Sequence, residues 1–302
     1  MPSWGELLNE TIAHKNEKNE DVPGLTLDEL RLKYLSQLSG HSGRNVIAYY
    51  SGWLNGRSSN ADINDGDITG FMNAIKGMDC SKGLDLILHT PGGSPTACEG
   101  IVNYLHSKFG DDIRAIIPQM AMSAGTMLSC ASKEIVMGKH SCLGPIDPQY
   151  GGVPAYNILS EFTEAKKELE VNDASKTFWE MQLKKYPAAF MYTLIDAINL
   201  SSTLTGEWLA KFMFTSMPDD EKGKKISTII RQLNMNNKSH SRHFSYDFCR
   251  SLGLNVTALE DNQDFQEDVL SVHHSYIITF TASDVSKIIE NQNGVRFVTH
   301  QR

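Results

Sequence analysis

Up to about residue 154 the chain alternates short, almost uninterrupted apolar runs with helical stripes; beyond that point the helical period takes over. Thr26-Leu27-Asp28-Glu29 has the form of a capping box, Thr at the N-cap and Glu at N3. Leu27, Leu30, Tyr34, Leu35 and Leu38 extend it as the apolar stripe of a helix that Gly40 can end. Asn45–Ser51 reads as a first buried strand, and Asp67 can cap a short helix carrying Ile68, Phe71, Met72 and Ile75. Leu84-Asp85-Leu86-Ile87-Leu88 is a run of the kind covered on both faces in a parallel sheet. After Pro91-Gly92-Gly93, Ser94 serves as N-cap and Pro95 as the first helical residue, where its missing N–H costs nothing. That helix runs through Ile101, Val102, Leu105 and Phe109 to Gly110. Ile113–Ile117 then completes a βαβ unit, right-handed almost without exception. A small-residue helix over 123–131 and a strand over Ile135–Met137 follow.

In the second half, Ile158–Leu169, Trp179–Leu200 (broken by Pro187), Leu204–Phe214 and Ile226–Leu233 carry helical patterns. Near the end the pattern predicts a strand over Asp268–Phe280 and a terminal helix over Ser283–Ile289. Residues 1–25 are polar and read as a loose arm or an intersubunit strap.

Composition narrows the class. With 302 residues, 40% hydrophobic and 21% charged, the chain can bury a full core as one large domain, or one with an appendage. A formal net charge of -8 and a pI near 5.7 argue against nucleic acid as the main partner. Between Lys222 and Arg250 seven Lys or Arg face one acid, Asp247, which reads as a solvated helix face. The five cysteines show no C-x-x-C spacing, so a disulfide framework and a zinc knuckle are not expected and a reducing cytoplasm is. The first residues lack the basic and apolar regions of a secretory signal. Ile113–Ala131 is apolar enough to imitate a membrane span, but Arg114, Pro118 and Gln119 break it, so no span is expected.

Candidate chemistry centres on Met120-Ala121-Met122-Ser123-Ala124-Gly125-Thr126. Cleavage of an acyl bond by a serine needs a rigid nucleophile, a base, and donors aimed at the developing oxyanion. Ser123 lies between a strand and the start of a helix, where the dipole and free N–H groups favour negative charge. Pro91-Gly92-Gly93 offers a second set of unhindered N–H groups at another helix start. With parallel strands both turns fall on the carboxyl edge of the sheet, where ligands bind in such folds. Either motif alone also fits an ordinary turn or tight helix packing; two of them at neighbouring strand ends point to a site.

His89-Thr90-Pro91-Gly92-Gly93-Ser94-Pro95, then Ala121-Met122-Ser123-Ala124-Gly125-Thr126, then Leu143-Gly144-Pro145-Ile146-Asp147-Pro148-Gln149 resemble the serine dehydrogenase proteinase family of the Clp-protease/crotonase superfamily, relatives of the signal-peptide peptidases. The match is ordered over roughly 45–155. The resemblance implies an α/β fold, a repeated ββα superhelix with a helical C-terminal half. It also implies Ser123 as nucleophile, an oxyanion hole from the N–H groups of Gly92 or Gly93 and Ala124, and a ring-like homo-oligomer. The chain then divides into an arm and helix (1–44), a catalytic core (45–200) and a mostly helical region (201–302) for assembly or partner contacts.

The Clp proteolytic subunit carries a His where this chain reads Ile146-Asp147-Pro148-Gln149. An Asp at its ordinary pKa is too weak to activate a serine unaided, though Asp147 could orient another group. Signal-peptide peptidases use a downstream Lys, and Lys176 stands at about that distance; Lys166 and Lys167 sit in a charged, solvated pattern. Lys176 is therefore the expected base, and His140 reads as a surface or capping histidine. His240-Ser241-Arg242-His243 and His273-His274 have zinc-like spacing but no hydrolase motif, and read as structural or interface residues. No metal or cofactor is expected.

The expectation is a cytoplasmic serine peptidase acting on short or unfolded polypeptides. No Gly-x4-Gly-Lys-Ser/Thr loop is present, so it is ATP-independent or served by a separate partner. Two other classes stay open: a crotonase-type enzyme holding the enolate of an acyl thioester, and a non-catalytic oligomeric scaffold docking a partner through 222–250.

Overall fold

The computed structural model describes residues 3–15, 21–56, 59–234 and 239–301. Lys238 of the basic segment and residues 16–20 of the polar arm lie outside the described residues. Helix α1 (Trp4–Glu10) opens the chain under a Ser3–Glu6 capping box, and its Leu7 is buried, so the arm is anchored where a loose segment was expected. Helix α2 (Leu27–Ser42) starts at the Thr26–Glu29 capping box as the sequence predicts. It passes through Gly40 and ends at Gly43, whose φ of 67° supplies the left-handed cap.

Strand β1 (Asn45–Ser51) follows, then α3 (Asp67–Ile75) and β2 (Leu84–His89). Next come α4 (Pro95–Phe109), β3 (Ile113–Ile117), β4 (Met120–Ala121), α5 (Ala124–Cys130), β5 (Glu134–Met137) and β6 (Cys142–Leu143). Asp67 is the first residue of α3 and not its cap. Its carboxylate instead takes the Asn64 N–H and the Tyr49 hydroxyl. The helical part comprises α6 (Ala155–Val171), α7 (Lys176–Leu183), α8 (Phe190–Trp208) and α9 (Asp219–Asn234). Pro187 falls in the break between α7 and α8. The chain ends with β7 (Phe244–Ser245), α10 (Tyr246–Ser251), β8 (Val256–Ala258), α11 (Gln263–Ala282), β9 (Val285–Asn291) and β10 (Arg296–His300).

The main sheet has the order β8-β5-β3-β2-β1-β9-β10. It is parallel from β8 through β1 and antiparallel at β9 and β10. A small sheet, β7-β6-β4, stands beside it. This is a mixed α/β fold built on a large, mostly parallel sheet. One face of the main sheet packs Tyr49, Leu86, Leu88 and Ala115 against α3, α4 and α5. The other packs Val46, Ala48, Ile87 and Val136 against α1, α2 and α11. Burial on both faces is why these strands read as continuous apolar runs.

The end of the chain inverts the sequence expectation: 268–280 is helix and 285–291 is strand. Helix α11 is buried on nearly every side, with Val269, Leu270, Val272, Tyr276, Ile278 and Phe280 all in the core, so it lacks a polar stripe and its β-branched residues imitate a strand. Strand β9 carries Lys287 and Glu290, which look like a solvated helix face. Both are buried because partners await them: Lys287 Nζ lies 2.6 Å from Asp67 Oδ1, and Glu290 Oε2 lies 2.7 Å from Arg31 Nε. A third cluster, Ile158, Phe190, Leu194 and Ile198, joins α6 to α8. No helix among the described residues is long and apolar enough to cross a membrane.

Candidate active site

Two turns at the carboxyl edge of the sheet are stitched together by backbone hydrogen bonds. Thr90 N–H donates to Met120 O at 3.1 Å and Met122 N–H donates to Thr90 O at 3.0 Å. Residues 90–93 after β2 and 120–124 after β3 are thereby held in one register. Between them the fit admits only glycine at position 92. There φ is +97°, and a Cβ would stand 2.5 Å from both Ser123 Cβ and Met122 O. Gly93 packs as closely on the backbone of Ile63 and pairs with it. Gly125 brings the first turn of α5 against Thr90, where a Cβ would meet Thr90 Cγ2 at 2.5 Å. The Thr126 hydroxyl, 2.9 Å from Ala121 O and Gly144 O, accepts the Gly144 N–H and ties this turn to the Leu143–Gln149 segment.

Ser123 is the N-cap of α5, with φ 51° and ψ -117°, a conformation L residues seldom adopt. Such a residue stores about 1–3 kcal/mol of strain, which the surrounding packing must hold in place. A sharp, strained turn from strand to helix exposes the hydroxyl and points it away from its own backbone, the geometry of a nucleophile elbow. Consistent with that, Ser123 makes no capping hydrogen bond. Around it, Gly92 N–H is taken by Thr90 Oγ1 at 3.2 Å. Among the described residues, the N–H groups of Gly93 and Ala124 meet no acceptor. Cys98, whose Sγ lies 3.5 Å from Ala124 O, is fully buried, and burial pushes its pKa up, so its thiolate is disfavoured.

Ser123 opens into a cavity of about 520 Å³. That is the usual size for a small-ligand or side-chain site. Gly92, Gly93, Met127, Ile146, Pro148, Ala197 and Leu200 make most of its wall apolar, and Asp62, Asp147 and His240 also line it. Asp147 is 3% exposed; its Oδ1 is 3.1 Å from His240 Nδ1 and its Oδ2 accepts Gln149 Nε2 at 2.8 Å. Tyr156 is near enough that burial and then the Asp147 charge push its hydroxyl pKa up.

Of the residues singled out in the sequence, Ser123, Gly92, Gly93 and Asp147 therefore share one cavity, and Ala124 supplies the adjoining N–H. Lys176 does not line it; it is exposed at the first position of α7, and Lys166 and Lys167 are exposed on α6. His140 also stays outside, its Nε2 2.9 Å from Pro118 O. His240 and His243 lie in a turn where a helix face was expected, and His243 is exposed while His240 enters the cavity. His273 is buried in α11, with Nδ1 3.3 Å from the Tyr50 hydroxyl. Among all these, His240 is the residue that local sequence undervalues. It stands 93 positions from Asp147, in a polar turn with no motif around it, and an otherwise unexplained Asp in Ile146-Asp147-Pro148 was the one available signal.

A strained serine at a strand-to-helix turn, with N–H groups beside it that meet no acceptor among the described residues, fits the general class of serine hydrolases. The chain belongs to the ClpP-like SDH-type serine proteinase family, which it matches over residues 61–272. An uncharacterized protein of Methanocaldococcus jannaschii is 31% identical over 214 residues, 66% of this chain and 74% of the relative. A second uncharacterized protein of that organism is 33% identical over 157 residues, 49% of this chain and 53% of its own length, so the chain spans about half of it.

Proposed function

We propose that this protein is a serine peptidase that hydrolyses peptide bonds of short or unfolded polypeptides through an acyl-enzyme on Ser123. The observation that carries this reading is the elbow itself: Ser123 at φ 51° on the cavity wall, with the Gly93 and Ala124 N–H groups near it and without acceptors among the described residues. When the serine oxygen attacks a carbonyl, negative charge develops on the carbonyl oxygen. Fixed backbone N–H groups stabilise that charge without reorganising, and each such donor is worth roughly 10²–10³ in rate. Gly93 is favoured over Gly92 for this role because Thr90 Oγ1 already occupies the Gly92 N–H. The apolar wall of Met127, Ile146, Ala197 and Leu200 suits an apolar side chain next to the scissile bond.

Fluorophosphonate labelling of the purified chain, with the adduct located by mass spectrometry, tests the reading, alongside hydrolysis of dye-labelled unfolded casein without nucleotide. The wild type should label at Ser123 and cleave casein, and Ser123→Ala should do neither. A folded wild type that never labels would overturn the proposal. Turnover of a coenzyme A thioester by Ser123→Ala would replace it with enolate chemistry at the same two turns.

A further inference from the structure

We infer that His240, held by Asp147, is the base that takes the Ser123 proton; this rests on Ser123 being the nucleophile. A serine hydroxyl at its ordinary pKa attacks only as its proton leaves, so an acceptor must face the same space. The titratable side chains on the cavity wall are Asp62, Asp147 and His240, with Tyr156 close to Asp147. No lysine lines it. A lysine works as a base only when desolvated, and Lys176 is exposed.

His240 lines the cavity that Ser123 opens into, and Asp147 fixes its ring from one side. Its Nδ1 faces Asp147 Oδ1 at 3.1 Å, so the proton of the neutral ring sits on Nδ1 and the lone pair on Nε2. That is the tautomer a general base needs. Asp147 is 3% exposed while the His240 side chain is 28% exposed, so the carboxylate orients the ring from within the cavity wall. Gln149 Nε2, 2.8 Å from Asp147 Oδ2, holds the carboxylate from its other side. His240 is thus the catalytic group, and Asp147 and Gln149 are positioning residues. The order along the chain, Ser then Asp then His, is one of the orders in which this constellation is built on unrelated folds.

The steps balance. As Ser123 Oγ bonds to the substrate carbonyl carbon, its proton passes to His240 Nε2 and the carbonyl electron pair moves to the oxygen facing Gly93 and Ala124. Collapse of that intermediate breaks the C–N bond, and His240 Nε2 returns the proton to the departing amine. Water then repeats the sequence on the acyl-enzyme, releasing the acid and regenerating Ser123.

The test is the second-order rate of fluorophosphonate labelling between pH 5 and 10 for the full chain and its variants. His240→Ala and His240→Gln, the second guarding against loss of folding, should each lower the rate at least about 10³-fold, and Asp147→Asn about 10²–10⁴-fold, through the wrong tautomer. Lys176→Ala should stay within about twofold of wild type, a surface change away from the cavity. Wild-type labelling by both His240 variants, or a rate that rises only above pH 9 and vanishes in Lys176→Ala, would overturn the assignment of the base and leave Ser123 as nucleophile. Labelling that persists in Ser123→Ala would instead overturn the nucleophile, and His240 with it.

Discussion

Substituting Gly92 by alanine tests the fit of the two turns directly. The new Cβ would lie 2.5 Å from Ser123 Cβ and Met122 O and 3.0 Å from Ala124 N, where ordinary contact begins near 3.4 Å. Ser123 or the 90–93 turn must therefore move by about 1 Å. A shift of that size at a reacting centre lowers rate about 100-fold. Alanine at φ +97° adds backbone strain of about 1–3 kcal/mol, and the overpacked contact costs a further 1–3 kcal/mol or so. The expected result is a chain that folds, unfolds at lower urea, and labels with fluorophosphonate about 100-fold more slowly. Gly100→Ala on α4 is the control: nothing lies within 4 Å of its added Cβ. It should leave labelling unchanged and stabilise the chain by about 0.5–1 kcal/mol, as alanine does in a helix interior. If Gly92→Ala labels at the wild-type rate, the two turns do not abut at the reacting serine and the site as described is wrong.

Ser123→Gly should be about 1 kcal/mol more stable than Ser123→Ala, because glycine relieves the positive-φ strain and gives back only part of it as chain entropy; equal urea midpoints would contradict the strained elbow. Lys287→Met removes one half of a pair in which both partners are 1% exposed, and strands the Asp67 carboxylate. It should cost about 3–5 kcal/mol in urea unfolding. It should also slow labelling, since Lys287 Nζ holds Asp62 O at 2.7 Å, next to the Ile63 that braces Gly93; unchanged labelling in the folded variant would sever that link. Stability should fall on acidification. His89 is enclosed by Tyr50, Trp53 and His273, its ring nitrogens meet no partner among the described residues, and burial pushes its pKa down to about 3. The unfolded chain binds a proton there below about pH 6.5 and the folded chain does not until about pH 3, so this group alone removes up to about 1.4 kcal/mol per pH unit across that interval. His89→Phe should flatten the slope of urea midpoint against pH between 6.5 and 4, and an unaltered slope would refute the origin assigned to it.

What the sequence determined by itself is what short-range physics controls. The capping box at Thr26, the Ser94 N-cap followed by Pro95, the parallel strands at 45–51, 84–89 and 113–117, and the Ser123 turn each depend on residues within one element, and all were legible. The Gly92–Ser123 contact was foreshadowed because parallel strands bring consecutive βα turns to one edge. Tertiary structure alone decided the rest. Helix α11 and strand β9 exchange the periods expected of them because one is buried all round and the other hides Lys287 and Glu290 behind Asp67 and Arg31. His240 shows the same limit at the site. Its segment reads in the chain as a solvated helix face, and its meaning comes from a buried carboxylate 93 residues away. Chain order encodes periodicity and caps, whereas the partner of a buried charge is set by which distant segments pack together.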